Sequence, residues 1–493
     1  MKKIVRLFLV SLLVLVSCED DLDINTNPNT PPEINKGLAL SAAEGSIATV
    51  IGGTLFNLGG MWAQYYTQSP SAGQYDDIDQ YNVDTEFADR LWIELYAGAL
   101  NDLEYVKDEA TADEDPATFL IATVLQAYTF QYLVDVFGDV PYLEALQGND
   151  NITPAPTPGE EIYLDQLSKI DAAVAAYEAN PEDSEVGAQD LIYGGDMDLW
   201  VQFANTLKLR MYLRMAYTSQ ANSSAVTALL TENNFLTEDA SFDVYSDATS
   251  KMNPFYEVQI EHLGNVNTVA SNSLLEFYNQ NGDPRIAAVF TVDNEGLYDG
   301  IEQGQGLSTE LGGTLANQYS RPNIEPTHPV FFMTVAESRF LQAEAALRYA
   351  GGAEAQALYE EGVAASFALY SSLVDDETLA VADPAAFTSG VYAFDPSADM
   401  ETNLETIIVQ KWAALANINN IEAWIETIRT GYPLITDEAA PPYELGRRII
   451  SLGSILPGDQ IPMSLFYPST EVQQNPNLNQ KPDLLQDVWW NQR

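Results

Sequence analysis

Apolar side chains recur every three or four residues over much of this chain, the spacing that aligns one face of an α-helix. Phe87, Leu91, Leu95, Ala99, Leu103 and Val106 form one such stripe. A second begins where Asp115 can cap a helix and Pro116 can take its first position. It continues through Phe119, Leu125 and Phe130 until FGDVPY stops it with Gly138 and Pro141. Together they predict a helical pair over about 84–137. The period returns at Tyr163, Leu167, Ile170, Val174 and Tyr177, then at Trp200, Phe203, Leu207, Met211 and Met215, a second pair over about 160–218. Two helices split by Gly351 and Gly352 make a third over about 335–372, with the small-residue spacing and length, about 34 residues, of a tetratricopeptide-type repeat. A fourth pair covers about 404–430. The expected fold is mainly α: four tetratricopeptide-like helical pairs within one domain over 36–493.

Two stretches break the period, about 219–330 and 430–493, where Asn, Gly, Ser and Asp mix with scattered aromatics. Long irregular stretches in a compact domain are usually functional or disordered. Phe255, Tyr256, Phe277, Tyr278, Tyr298 and Tyr319 argue for folding onto the helices.

The N-terminus follows a different pattern. Lys2, Lys3 and Arg6 precede an apolar run from Leu7 to Val16 that is too short to span a bilayer and has the shape of a secretory signal. The chain's single cysteine, Cys18, closes it. One thiol makes no intramolecular disulfide, and with only two histidines there is no structural zinc set. Leu15, Val16, Ser17 and Cys18 resemble a bacterial lipobox, which implies cleavage after residue 17, a lipidated Cys18, and a polar, acidic tether over 18–35. More than one acyl chain would hold the protein stably to a membrane. The alternative is a small buried cysteine after an ordinary signal.

Charge narrows the partners. There are 72 acidic residues against 21 basic ones, a formal net charge of −51. Such a surface repels nucleic acid and anionic lipid. Lys208, Arg210 and Arg214, scarce cations close together on one predicted helix, are expected to pair with buried or helix-terminal acids.

Candidate binding chemistry concentrates in residues 59–81. Trp62, Tyr65, Tyr66, Tyr75 and Tyr81 offer aromatic faces on which sugar rings stack, and Gln64, Gln68, Gln74 and Asp76 offer planar partners for hydroxyls. Trp62, Tyr65 and Tyr66 also lie at helical spacing, so a place in the core competes with the platform. Asp76, Asp77 and Asp79 provide hard oxygen ligands of the kind calcium takes, without the glycine and distal glutamate of an EF-hand loop. A second candidate surface holds Asn265, Asn267, Tyr298, Gln303, Gln305, Tyr319 and Arg321.

FGDVPY, LIYGGDMDLWVQFANTLKLRMYLRMA, AESRFLQAEAALR, QKWAALANINNIEAWIETIRTGYP, IPMSLFYPSTEVQQNPN and the closing DVWWNQR resemble, in order, stretches of the SusD/RagB-like nutrient-binding lipoproteins of Bacteroidota. NINN at 417–420 departs from that pattern, which has a glycine-containing turn there. The resemblance implies a helical scaffold decorated by a loop-rich ligand-binding half, anchored at the cell surface of the outer membrane. It also implies delivery of oligosaccharides, or peptides in some members, to a TonB-dependent transporter barrel, without enzymatic activity and without a cofactor. The acidic surface favours a neutral glycan over a sulfated or uronate one.

Two other classes stay open. A surface glycoside hydrolase needs two carboxylates about 5–10 Å apart in a cleft, and 72 acids can supply such a pair by chance. No GxSxG elbow, HExxH or glycine-rich phosphate loop accompanies them. A helical repeat protein that docks other proteins would not require the loop-rich half and its tyrosines.

Overall fold

The computed structural model describes residues 35–436, 444–458 and 460–493. The signal, Cys18 and the tether as far as residue 34 lie outside the described residues. Ten helices carry the architecture: α1 (Lys36–Trp62), α2 (Asn101–Ala112), α3 (Pro116–Phe137), α4 (Gly159–Ala179), α5 (Met197–Arg214), α6 (Asn272–Asn281), α7 (Val335–Tyr349), α8 (Ala355–Leu373), α9 (Met400–Ala414) and α10 (Asn420–Thr430). The fold is mainly α, as the periodicity predicts.

Local signals act where expected. Asp115 Oδ1 accepts from Thr118 N at 2.9 Å at the start of α3, and Gly138, at φ 83°, ends it. Gly351 and Gly352, at φ 75° and 77°, turn α7 into α8. Asn417 takes φ 60° in the turn between α9 and α10, so an asparagine supplies the left-handed residue there and the NINN departure leaves the turn intact. Asn419 then caps α10.

The periodic reading missed α1. Its first half, KGLALSAAEGSIAT, is rich in Ala, Gly and Ser and has no separate polar face, because Leu38 and Ala42 lie on its exposed side and Glu44 on its buried one. α1 lies along α2 and crosses α10 so closely that a Cβ on Gly59 would come within 2.4 Å of the Asn420 carbonyl carbon. α3 is buried along nearly its whole length, between α2 and α4.

A charge network fastens the helices. Arg210 and Arg214 on α5 meet Asp135 of α3, Glu337 of α7, and Glu422 and Glu426 of α10. Lys411 of α9 and Arg429 of α10 complete it, with Glu344 of α7 2.6 Å from Arg429. These side chains are almost wholly excluded from water, so four of the chain's scarce cations lie inside the helical scaffold. Lys208 lies 2.5 Å from Asp171, near the surface.

The loop-rich half is folded onto this scaffold. β1 (Tyr66–Gln68) pairs antiparallel with β3 (Thr268–Ala270), and β2 (Ala240–Phe242) with β4 (Val330–Met333). The C-terminal segment is pinned by Trp490 Nε1, which donates to Asp135 Oδ1 at 2.7 Å.

Candidate functional site

The aromatic platform expected at residues 62–81 is not on the surface. Trp62, Tyr65, Tyr66, Gln68 and Tyr81 are all at most 2% exposed. The end of α1 is wedged against α10, and each polar tip finds a partner inside. Trp62 Nε1 donates to Ile78 O at 3.0 Å, and its ring sits 4.9 Å from that of Trp424. Tyr65 Oη donates to Trp412 O at 2.5 Å, and Tyr66 Oη bonds Asn417. Gln68 folds back on its own loop, accepting from Tyr75 N and donating to Ala72 O, both at 2.8 Å. Among the described residues no Trp, Tyr or Phe stands fully exposed, so any stacking face belongs to a cleft.

The calcium reading of Asp76, Asp77 and Asp79 is also corrected. Asp79 is buried and saturated by protein donors: Thr67 Oγ1 at 2.7 Å and Gln68 N at 2.6 Å on one oxygen, Gln303 Nε2 at 2.5 Å on the other. Burial pushes its carboxyl up to about 6 against the pull of those hydrogen bonds. Asp77 accepts from Asn82 Nδ2 at 3.1 Å, and Asp76 is half-buried beside Gly73. Among the described residues no three His, Cys, Asp or Glu side chains converge in a way that would hold a metal. Asp79 instead ties β1 to the loop at Gln303, whose neighbour Gly304 N donates to Thr67 Oγ1 at 2.9 Å.

The two candidate surfaces, far apart in sequence, form one assembly. The β1–β3 ladder continues through Ser69 N, which donates to Asn267 O at 2.7 Å. Asn267 is buried; Asn265 is half-buried at φ 54°, and its carbonyl oxygen accepts from Arg321 Nη1 at 3.5 Å. Tyr319 packs on the small cluster of Val269, Ile301 and Ala316, and Tyr298 is half-buried against the main core.

Of the tyrosines singled out at residues 62–81, Tyr75 lines a cleft. A cleft of about 670 Å³ opens between the middle of α1, the segment 75–94 and residues 245–262. Its walls include Val50, Ile78, Phe87, Leu91 and Phe255, with Tyr75 and Tyr245 half-buried at its edge. Two π-helical turns, Val50–Thr54 in α1 and Tyr256–His262, shape it; such turns recur at functional sites. Gln259 Nε2 bonds Tyr75 Oη and positions the ring. Burial raises the Tyr75 hydroxyl's pKa, so it stays a neutral donor and acceptor. Arg90 and Lys251 are balanced by Glu94 and Glu257, leaving the cleft close to neutral in a strongly acidic protein.

Three buried polar atoms in this lining, Asn57 Oδ1, Gln259 Oε1 and Tyr245 Oη, have no hydrogen-bond partner. An unsatisfied buried donor or acceptor costs roughly 1–3 kcal/mol, so these three lining side chains would gain from a ligand or water group that they turn to meet. The sequence reading missed Asn57, Tyr245 and Gln259. Asn57 carried a signal, a lone amide inside the apolar run LFNLGGMW.

A family model described as starch-binding, associating with the outer membrane, matches residues 28–448. The chain belongs to this SusD-like family. Solved SusD-like structures share its fold. A SusD homologue from Bacteroides uniformis superposes with a TM-score of 0.73 at 25% identity, over 92% of this chain and 99% of that one. A chitin-binding protein gives 0.74 at 23% identity, over 93% and 100%, and a chitin-binding SusD homologue from Flavobacterium johnsoniae gives 0.73 at 22%, over 93% and 99%. No curated protein matches the chain.

Proposed function

We propose that this SusD-like protein captures a neutral oligosaccharide in the cleft beside Tyr75 and passes it, uncleaved, to a TonB-dependent transporter barrel. Lipidated Cys18 holds it at the cell surface of the outer membrane. The observation that carries the binding reading is the set of unpartnered atoms on Asn57, Gln259 and Tyr245. They are acceptors, or a hydroxyl that serves both ways, and a sugar supplies hydroxyl donors while its apolar face rests against Tyr75 and Tyr245. The balance of charge in the lining suits an uncharged ligand. A peptide could satisfy the same acceptors with amide N–H groups, so it is the second reading.

The test is a binding screen of residues 19–493 against neutral and anionic polysaccharides and peptides, by affinity electrophoresis and calorimetry, with product analysis on the same samples. Retention on a neutral glycan without cleavage is expected, weakened about tenfold or more by Asn57→Ala or Tyr75→Ala. Tight binding to alginate or carrageenan at low salt would overturn the neutral-ligand reading. Cleavage products would overturn the capture reading.

A further inference from the structure

A second cleft, of about 500 Å³, backs onto the first across one helical segment. Arg90, Leu91 and Glu94 of that segment face the first cleft, while Trp92, Ile93, Tyr96 and Ala97 face the second. The segment changes from α (Asp89–Ile93) to π (Glu94–Leu100) at this point. The π turn presents Tyr96 beside Trp92, with ring centroids 4.7 Å apart and planes inclined by 33°. The loop that closes the far side turns at Leu146 (φ 61°) and Gly148 (φ 55°) and carries Ile152, 77% exposed.

The lining of this cleft is poor in charge. Fourteen residues form it, and Glu471 alone carries a charge, in a chain with 72 acidic residues. The polar groups are amides, Asn101, Gln147 and Asn151, the first two on exposed residues at the rim. An aromatic floor with planar amides around it and almost no charge suits an uncharged polyhydroxylated chain better than a peptide or an acidic glycan.

We propose that the second cleft is a further subsite for the same neutral oligosaccharide, which crosses the ridge formed by residues 90–97 and lies in both clefts. The inference rests on the reading of the first cleft given above. The ridge is one helix wide, about 10 Å, so a short oligomer fills one cleft and a longer one engages both. The second contact is then intramolecular, and affinity gains by effective concentration.

The experiment is calorimetry of residues 19–493 with malto-, cello- and chito-oligosaccharide ladders from disaccharide to octasaccharide. It compares the wild-type protein with the double variant Asn101→Ala/Gln147→Ala and with Ala97→Trp, which fills the groove from an exposed position. In the wild-type protein the longer oligomers are expected to bind about tenfold or more tighter than the shortest that binds. Both variants should keep the short-oligomer affinity and lose most of the gain with length. A wild-type protein whose affinity is flat with length, or variants that keep the full gain, overturn the second subsite while leaving the first cleft in place. Absence of binding at every length overturns both. An Asn57→Ala control that weakens short and long oligomers alike separates the two sites.

Discussion

Replacing Arg214 with Met tests the idea that the helices are held by a buried charge network. Arg214 Nε lies 3.1 Å from Asp135 Oδ2, Nη2 lies 2.7 Å from Glu422 Oε2, and Nη1 contacts Glu426. Its guanidinium also sits 5.5 Å from the Trp490 ring centre, an apolar contact that methionine largely keeps. Glu422 and Glu426 retain Lys411 at 3.5 and 3.1 Å, but among the described residues no other cation is within ion-pair reach of Asp135. The substitution therefore strands one buried carboxylate and weakens two, and removing one partner of a buried pair costs about 3–5 kcal/mol. Lys208→Met is the control. Its partner Asp171 is 56% exposed, and surface pairs contribute about 0–1 kcal/mol.

The pH dependence gives a second readout with a definite sign. Burial raises the carboxyl of Glu422, but Arg214, Arg210 and Lys411 outweigh it and hold the group below its usual range. Glu426 is held well below, by Arg429, Lys411 and Arg214 against the same burial penalty. A depressed native pKa stabilises above the unfolded value, and that stabilisation fades as pH falls through the native one. Without Arg214 the burial penalty on Asp135, Glu422 and Glu426 has less to oppose it. Their native pKa values rise, so the variant gains relative stability as pH falls. Urea unfolding followed by tryptophan fluorescence should show a deficit of about 3–5 kcal/mol near pH 8 that shrinks towards about pH 5. A deficit no larger than that of Lys208→Met, or one that does not change with pH, would refute the reasoning.

Three other substitutions probe the remaining steps. Asp79 titrates in the native protein at about 6 against 3.8 for an ordinary aspartate, so its contribution is fully present below 3.8 and is lost as pH rises through 6. Asp79→Asn should flatten that slope in thermal unfolding. Its amide can donate to Gln303 Oε1, which lacks a partner, so a large loss at pH 8 would contradict the assignment. Gly59→Ala drives a Cβ into the Asn420 backbone and is expected to cost about 1–3 kcal/mol, read in the same urea assay; an unchanged midpoint would mean the α1–α10 crossing relaxes. Cys18→Ala should remove the protein from the outer-membrane fraction, and unchanged fractionation would disprove the anchor.

Much of the scaffold was legible because it obeys local rules. Asp115 and Gly138 mark the ends of α3 by backbone chemistry alone, and the stripes of α4 and α5 are amphipathic enough to be seen. α1 escaped because apolar Leu38 and Ala42 occupy its exposed face and Glu44 its buried one, so its sequence shows no polar stripe. The rarity of cations made the pairing of Arg210 and Arg214 predictable, though not which carboxylates they meet. Of the aromatic platform expected there, Tyr75 lines a cleft, while Trp62, Tyr65 and Tyr66 lie in the core, the competing reading that their helical spacing offered. Their composition is the same, and only the crossing of α1 over α10 separates them.

Periodicity and capping residues establish the class of fold and the order of the helical pairs, the lone cysteine sets the expectation of an anchor, and the shortage of basic side chains that of paired Arg210 and Arg214. These depend on residues near one another in the chain or on simple counts. The proposed binding cleft depends on contacts between residues about 200 positions apart. Asn57 and Gln259 share a cleft because α1 and the turn Tyr256–His262 pack together, and Ser69 meets Asn267 because β1 pairs with β3. No local pattern encodes which polar atoms long-range packing leaves without a partner, and the proposed site rests on three of them.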